Sequence, residues 1–142
     1  MDTSEEYIKM CEAAEEIQGA WEVEEGDYFA EWIPERTKHK LPIIFCGIVD
    51  GETVPERDKF KSVWLPRQDQ LQEIMQEDAI SLIQKLMGWI VTNNYIPIGL
   101  PQPTMEQLWL SFVMYEKYEK KWDGETWATV TNKLYKQSEV GQ

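Results

Sequence analysis

The chain of 142 residues has few of the side chains from which metal and redox sites are built. It contains two cysteines and one histidine. Cys11 and Cys46 lack the CxxC spacing of a thiolate metal site, and they are too few for a disulfide framework. We therefore expect two buried, reduced thiols, no metal and no cofactor. His39 is isolated in a basic segment, so a Ser-His-Asp or Cys-His site would require a serine or cysteine to meet it in space.

Long apolar stretches and nucleotide-binding motifs are also missing. No segment approaches the roughly 18 consecutive apolar residues that span a bilayer, and the N-terminus does not join a basic start to an apolar signal segment. The sequence has no EF-hand loop, P-loop or GxGxxG motif. Paired carboxylates are numerous, but with 26 acidic residues in the chain their presence is uninformative. These absences favour a cytoplasmic protein that contacts no membrane and is not an enzyme.

Basic residues are scarce in the first 31 positions, where eleven acids occur with a single base, Lys9. This segment has a net charge of −10, out of −12 for the whole chain. Because an acidic surface repels phosphate backbones, we expect no direct binding to nucleic acid and a protein partner with a cationic surface. The candidate partner-binding acids are Glu22, Glu24, Glu25 and Asp27. Two alternatives stay open: the acids keep the domain soluble, or they mimic the charge of nucleic acid.

The length and composition predict one α+β domain spanning residues 1–142. Hydrophobic residues make up 42% of the chain, which is enough to build a core without disulfides. Residues 1–18 form an amphipathic helix with Ser4 as its N-cap, residues 27–66 contribute antiparallel strands, and residues 68–136 are mainly helical. The predicted architecture is a small antiparallel three-stranded meander packed against three or four helices.

Turn and capping residues mark the individual segments. The strands are expected at about 28–32, at 41–49 before an Asp50-Gly51 turn, and at 59–65. Apolar residues at helical spacing follow Asp78, and a capping box occupies residues 104–107, so both positions begin a helix. The last segment, 125–136, is either a short helix or an edge strand.

The most distinctive stretch is WLPRQDQLQE at residues 64–73, where a strand end passes through one proline into a polar helix start. Pro66 fixes φ and lacks an N–H, so it can end a strand or open a helix. Arg67 and Gln68 offer directional hydrogen bonds, and a planar guanidinium suits a carboxylate or phosphate. Trp64, Arg67 and Gln68 are therefore the candidate ligand-binding residues. The alternative is a strand-to-helix junction without a ligand.

Seven tryptophans are the main excess in the composition. Each has a large apolar ring and one N–H that needs an acceptor, so most of them should lie in the core. Trp122 and Trp127, together with the proline-containing loop 95–103, are candidates for an aromatic surface that binds a partner protein. Core packing is the alternative for both tryptophans.

Three ordered blocks of sequence resemble small proteins encoded by phages and prophages of Gram-positive bacteria. The blocks are YIKMC at 7–11 with EEIQ at 15–18, the WLPRQDQLQE box, and MEQLW at 105–109 with EKY at 116–118 and WDGE at 122–125. The matching region touches roughly half of the chain, and residues 19–60 match nothing in that group. The resemblance implies a phage or prophage setting, but it brings no assigned activity and no catalytic residues.

Two functional hypotheses follow from these patterns. The first is a non-enzymatic accessory protein that binds another protein through its acidic or tryptophan-rich surface, for host takeover or counter-defence. The second is a protein that sequesters a small ligand or nucleotide in a pocket near Trp64 and Arg67. Neither hypothesis specifies an oligomeric state.

Overall fold

A computed structural model describes residues 1–32, 41–47, 61–93 and 102–130. The helices are α1 (Glu5–Ala13), α2 (Glu15–Gly19), α3 (Gln68–Met75), α4 (Ala79–Thr92) and α5 (Met105–Tyr118). The strands are β1 (Tyr28–Trp32), β2 (Ile43–Cys46), β3 (Lys61–Leu65), β4 (Lys120–Trp122) and β5 (Trp127–Thr129). This mixture confirms the α+β class. The predictions for His39, the turn at 50–51, most of the loop 95–103 and the tail after 130 lie outside the described residues.

Three antiparallel strands form the main sheet, in the order β2-β1-β3. Phe29 of β1 lies opposite Phe45 of β2 on one side and Trp64 of β3 on the other. The number and direction of the strands agree with the prediction, but the order differs from that of a meander, in which β2 would be central. Of these three strands, β1 is the one without an exposed residue. The most buried strand therefore takes the central position, although this separates β2 from β3.

The N-terminal helix is interrupted near its end. Ser4 caps α1 as predicted, and its hydroxyl accepts a hydrogen bond from Tyr7 N at 3.2 Å. Ala14, expected inside one continuous helix, has φ −84° and ψ 74° and separates α1 from α2. This break is why the described residues contain five helices instead of the predicted three or four. The apolar stripe continues across the break, since Cys11 and Ile17 are both fully buried.

The core lies where α1 packs on β3 and where α3 packs on α5. The hydroxyl of Tyr7 donates a hydrogen bond to Pro66 O at 2.6 Å, which joins α1 to the end of β3. In α5, all residues from Trp109 to Met114 are buried, so this helix is enclosed by its neighbours. The WLPRQDQLQE box consequently lies where α1, β3 and α3 meet.

The two cysteines lie in different environments. Cys11 is fully buried, as predicted, and burial raises the pKa of its thiol so that it stays protonated. Cys46 is exposed. The prediction of two buried thiols is wrong for this residue, because Cys46 ends β2, which is an edge strand of the sheet.

The chain after α5 forms a β-hairpin. Strands β4 and β5 pair antiparallel, with Trp122 opposite Trp127. The carboxylate of Asp123 accepts hydrogen bonds from two backbone N–H groups of the turn, both at 2.8 Å. The described residues of the region 68–136 are mainly helical, as predicted, and their last helix is α5. Of the two alternatives for the last segment, the strand is the one observed at 127–129.

Asp2 ties the N-terminus to the start of α5. The residue is 8% exposed; its Oδ1 accepts a hydrogen bond from Ser4 N at 2.8 Å. Its Oδ2 accepts hydrogen bonds from Thr104 Oγ1 at 2.6 Å and from Gln107 Nε2 at 3.0 Å. Burial by itself raises the pKa of Asp2, but these hydrogen bonds outweigh burial and hold the pKa below its ordinary value. One carboxylate thus links the caps of two helices.

We expect Asp2→Asn to destabilise the protein at neutral pH and to have little effect in strong acid. The folded-state pKa of Asp2 lies below its ordinary value of 3.8. The stabilisation is therefore present above that value and is lost as the pH falls through the folded-state pKa. Urea unfolding at neutral pH and below about pH 2 measures the difference. Glu5→Gln, which removes an exposed acid from α1, is the control. An Asp2→Asn effect of equal size at both pH values would contradict this account.

Gly88→Ala should stabilise the protein. Gly88 is an exposed residue inside α4, and no atom outside the neighbouring backbone of the helix lies within 4 Å of the position that its Cβ would take. Because glycine inside a helix costs about 0.5–1 kcal/mol relative to alanine, the Tm should rise by roughly 2–4 °C. Thermal unfolding in dilute solution measures the change. Gly124→Ala should instead lower the Tm, since Gly124 has φ 103°. A Tm for Gly88→Ala at or below that of the wild type would argue against this prediction.

Candidate functional site

The segment between α2 and β1, here called the acidic turn (residues 22–27), is built around the carboxylate of Asp27. This residue is 1% exposed. Its Oδ2 accepts hydrogen bonds from Trp21 Nε1 and Glu24 N, both at 2.9 Å, and its Oδ1 accepts one from Gln70 Nε2 at 2.5 Å. A buried carboxylate needs such donors in place of water. The three bonds fix the path of the chain from α2 to β1 and attach it to α3.

Arg67 joins the acidic turn to the start of α3. Its Nη1 donates a hydrogen bond to Gly26 O at 2.6 Å and lies 3.9 Å from Asp27 Oδ1. Its Nε and Nη2 donate to the two carboxylate oxygens of Asp69 at 3.0 and 3.2 Å. The hydrogen bonding between Arg67 and Asp69 raises the pKa of Arg67 and lowers the pKa of Asp69. The guanidinium predicted to bind an anionic ligand thus bonds to a carboxylate and a carbonyl of the chain itself.

Backbone hydrogen bonds close the acidic turn against the end of β2. Gly26 N donates to Gly47 O at 2.9 Å, and Gly47 N donates to Asp27 O at 2.6 Å. Gly26 has φ 86°, a left-handed conformation that glycine adopts without strain. The turn is therefore bonded to β2, to α3 and to Trp21, and its exposed side chains are carried on an ordered backbone.

Of the four acids predicted to bind a partner, three face the solvent and one does not. Glu22, Glu24 and Glu25 are exposed, whereas Asp27 is buried and supports the turn from inside. The sequence alone does not show that Asp27 is buried while the neighbouring acids are exposed, because one of its donors, Gln70, lies 43 residues further along the chain. Only the tertiary structure shows that the exposed acids of the acidic turn are the three glutamates.

Trp64 is a core residue. It is 7% exposed and stacks on Trp21, with ring centroids 6.0 Å apart and planes 4° from parallel. Its backbone N–H and C=O both bond to the side-chain amide of Gln18, at 2.8 and 2.9 Å. The side chain of Gln18 therefore provides hydrogen-bond partners for the backbone N–H and C=O of Trp64 in β3. No local sequence signal indicates this role. Gln68 is half-buried at the first position of α3. These contacts favour the junction alternative for the box.

Trp122 and Trp127 attach the hairpin to α1. Trp127 is 9% exposed, and its Nε1 donates a hydrogen bond to Met10 O at 2.9 Å. Trp122 is half-buried, and its Nε1 donates to Glu6 Oε1 at 2.9 Å. The two rings lie 5.1 Å apart, centroid to centroid. Both indole groups thus make contacts within the chain, as the core alternative expects, and leave little aromatic surface for a partner.

Helix α4 presents an apolar face to the solvent. Its buried face packs on α5 through Trp89, whose ring lies 5.6 Å from that of Phe112 and 6.0 Å from that of Tyr115. The exposed stripe consists of Ile80, Ile83, Met87 and Val91, at 66%, 54%, 56% and 71% exposure. In the sequence, the apolar residues of this helix form one set at helical spacing. They extend well beyond one face of the helix, whereas a helix packed on one side buries only one face, and this excess is the sequence signal for an exposed apolar surface.

The described residues contain no cluster of three or more histidine, cysteine, aspartate or glutamate side chains able to hold a metal ion. Among the helices that the structure describes, none has the length and hydropathy of a membrane span. No protein-family model, curated protein or solved structure matches the chain. Two surfaces of the described residues stand out by their chemistry: the acidic turn and the exposed stripe of α4.

Asp27→Ala should destabilise the protein strongly, by roughly 3 kcal/mol, because it leaves the buried donors of Trp21, Glu24 and Gln70 without their acceptor. Urea unfolding with Trp fluorescence measures the loss. Glu25→Ala is the matched control, since it removes an exposed acid from the same turn and should change stability by less than about 0.5 kcal/mol. Similar effects for the two variants would show that the Asp27 hydrogen bonds do not organise the turn.

Proposed function

We propose that this protein is a non-enzymatic accessory protein of a phage or prophage that binds a cationic surface of another protein in the bacterial cytoplasm. The observation that carries the proposal is the acidic turn, in which Asp27 is buried and Glu22, Glu24 and Glu25 are exposed on an ordered backbone. The genetic setting is supported by the resemblance of the three sequence blocks. Host takeover or counter-defence is the role that fits such a setting.

The position of the acidic turn within the chain supports this assignment. The blocks that resemble phage proteins contact one another: Tyr7 bonds to Pro66, Gln18 bonds to Trp64, and Lys9 bonds to Gly124. Together they make a scaffold. The acidic turn belongs to the stretch 19–60, which has no counterpart in the resemblance. A scaffold whose charged turn lies outside the resemblance suits a protein that binds a partner of its own.

The electrostatics of the turn suit a protein partner. Because the backbone of the turn is already held by hydrogen bonds, binding costs little backbone conformational freedom, and the three exposed carboxylates attract a positively charged surface over about one Debye length. Complementary charge mainly accelerates association and selects the partner. Binding through this turn should therefore weaken steeply as the salt concentration rises.

The second hypothesis, a small-ligand or nucleotide site near Trp64 and Arg67, has less support. Trp64 is buried against Trp21, and the guanidinium of Arg67 bonds to Gly26 O and Asp69. A ligand would have to displace the bonds that hold the acidic turn. A nucleotide that raised the Tm by the equivalent of about 2.7 kcal/mol at a hundred times its Kd would restore this hypothesis.

The proposed binding can be tested by affinity capture from a Gram-positive bacterial lysate at low and moderate salt. The combined substitutions Glu22→Gln, Glu24→Gln and Glu25→Gln keep the size of each side chain and remove its charge. We expect wild-type protein to retain a specific cationic partner at low salt, and the triple variant to lose it because the charge attraction is gone.

A matched control carries the substitutions Glu73→Gln, Glu116→Gln and Glu125→Gln, which remove three exposed acids from other parts of the structure. It has the same net charge as the turn variant, so a general effect of charge would weaken binding by both. Equal capture by wild type and the turn variant, or equal loss by the two variants, would count against a specific role for the acidic turn.

A further inference from the structure

Helix α4 buries fewer side chains than α5, although both helices have 14 residues. The buried residues of α4 are Leu82, Leu86 and Trp89, whereas α5 buries every residue from Trp109 to Met114. The four apolar side chains of the exposed stripe stay in solvent whether or not α4 is attached. Because burial of apolar area supplies most of the stabilisation, separating α4 from the rest of the fold costs less than separating α5.

The one charged residue of α4, Lys85, bonds within its own segment. Its Nζ lies 2.5 Å from Glu77 Oε1, just before the helix. This hydrogen bond, followed by a weaker attraction to Glu116 of α5, raises the pKa of Lys85. Lys85 and Glu116 are both exposed, so solvent screens the attraction between them. The charge of Lys85 therefore adds little to the attachment of α4.

Hydrogen bonds fasten the neighbouring segments to one another. Lys117 Nζ of α5 donates to Ile74 O of α3 at 3.0 Å, and Trp127 Nε1 of the hairpin donates to Met10 O of α1 at 2.9 Å. The described contacts of α4 with α5 are instead between aromatic rings. Packing of this kind has no directional bond that must break before the surfaces separate.

The three residues before α4 have the properties of a hinge. Gln76, Glu77 and Asp78 are all exposed between α3 and α4. Gln76 has φ 54° and ψ 38°, a left-handed conformation that ends α3 and turns the chain. The Asp78 carboxylate accepts a hydrogen bond from Ser81 N at 3.0 Å, so the N-cap belongs to α4 and moves with it. Rotation at Gln76 and Glu77 therefore leaves both helices capped.

We propose that α4 is a lid on α5, which opens as a unit about residues 76–78 while the sheet, the other helices and the hairpin stay folded. Opening separates the ring of Trp89 from those of Phe112 and Tyr115, which lie 5.6 and 6.0 Å away. It thereby uncovers an aromatic face of α5. The lid goes beyond the proposed function, because its movement involves none of the residues of the acidic turn.

Thiol labelling of the full chain tests the opening. In a Cys46→Ser background, the fully buried Cys11 of α1 reports on unfolding of the rest of the fold. Leu86→Cys adds a second thiol on the buried face of α4, where the native side chain is 8% exposed. Relative to its rate in the unfolded chain, the new thiol should react with a soluble disulfide reagent more than about tenfold faster than Cys11, because local opening suffices to expose it.

Leu110→Cys is the matched control, since it makes the same substitution at a fully buried position of α5. Its new thiol should be protected to the same degree as Cys11 in the same molecule. Equal protection of Cys11 and the thiol at position 86 would overturn the lid. Fast labelling at both position 86 and position 110 would also overturn it, because the loosening would then include α5.

Native-state hydrogen exchange of the unsubstituted chain gives a second readout. A detached helix of 14 residues is marginally stable in water, so the backbone N–H groups of α4 should exchange when the lid opens. After correction for intrinsic rates, we expect residues 82–89 to exchange more than about tenfold faster than residues 109–114, with a weaker dependence on urea because less surface is exposed.

Equal exchange rates and equal urea dependence in the two helices would show that α4 separates only when the whole protein unfolds, and would overturn the proposal. Failure of the capture experiment on the acidic turn has no bearing on either measurement, since neither thiol labelling nor hydrogen exchange of α4 involves the three glutamates.

Discussion

The buried carboxylate of Asp27 organises the acidic turn and attaches it to α3. Its partners come from three places in the chain: Trp21 after α2, Glu24 in the acidic turn and Gln70 in α3. Removing a carboxyl group from water is unfavourable unless donors replace the water, so these segments are constrained to meet around it. Arg67 extends the network through Gly26 O and Asp69. A polar network inside the fold thereby sets the shape of a charged turn on its surface.

Hydrogen bonds from single polar side chains also join other segments of the chain. Asp2 joins the caps of α1 and α5, Gln18 satisfies the free edge of β3, and the indole N–H groups of Trp122 and Trp127 attach the hairpin to α1. Apolar burial supplies most of the stabilisation but has no direction, whereas each of these hydrogen bonds requires a particular partner. They therefore decide which segments lie side by side. The WLPRQDQLQE box accepts bonds from Tyr7 and Gln18, and its Arg67 and Gln70 donate to the acidic turn.

The scaffold presents two surfaces with different physical properties. The acidic turn acts through charge, so its interactions extend over about a Debye length and weaken with salt. The stripe of α4 acts through burial of apolar area, which salt does not screen.

The sequence by itself determined the α+β class, the strand segments, the Ser4 cap and the capping box at 104–107, because these depend on local periodicity and on hydrogen bonds between near neighbours. The tertiary structure decided the strand order β2-β1-β3, the break at Ala14, and the exposure of Cys46 at a sheet edge. It also decided that Asp27 is buried while Glu25 beside it is exposed, and that Ile80 faces solvent while Leu82 faces the core. These residues are similar in type and close together in sequence. They differ in burial because other segments of the chain pack against one of them and not against the other.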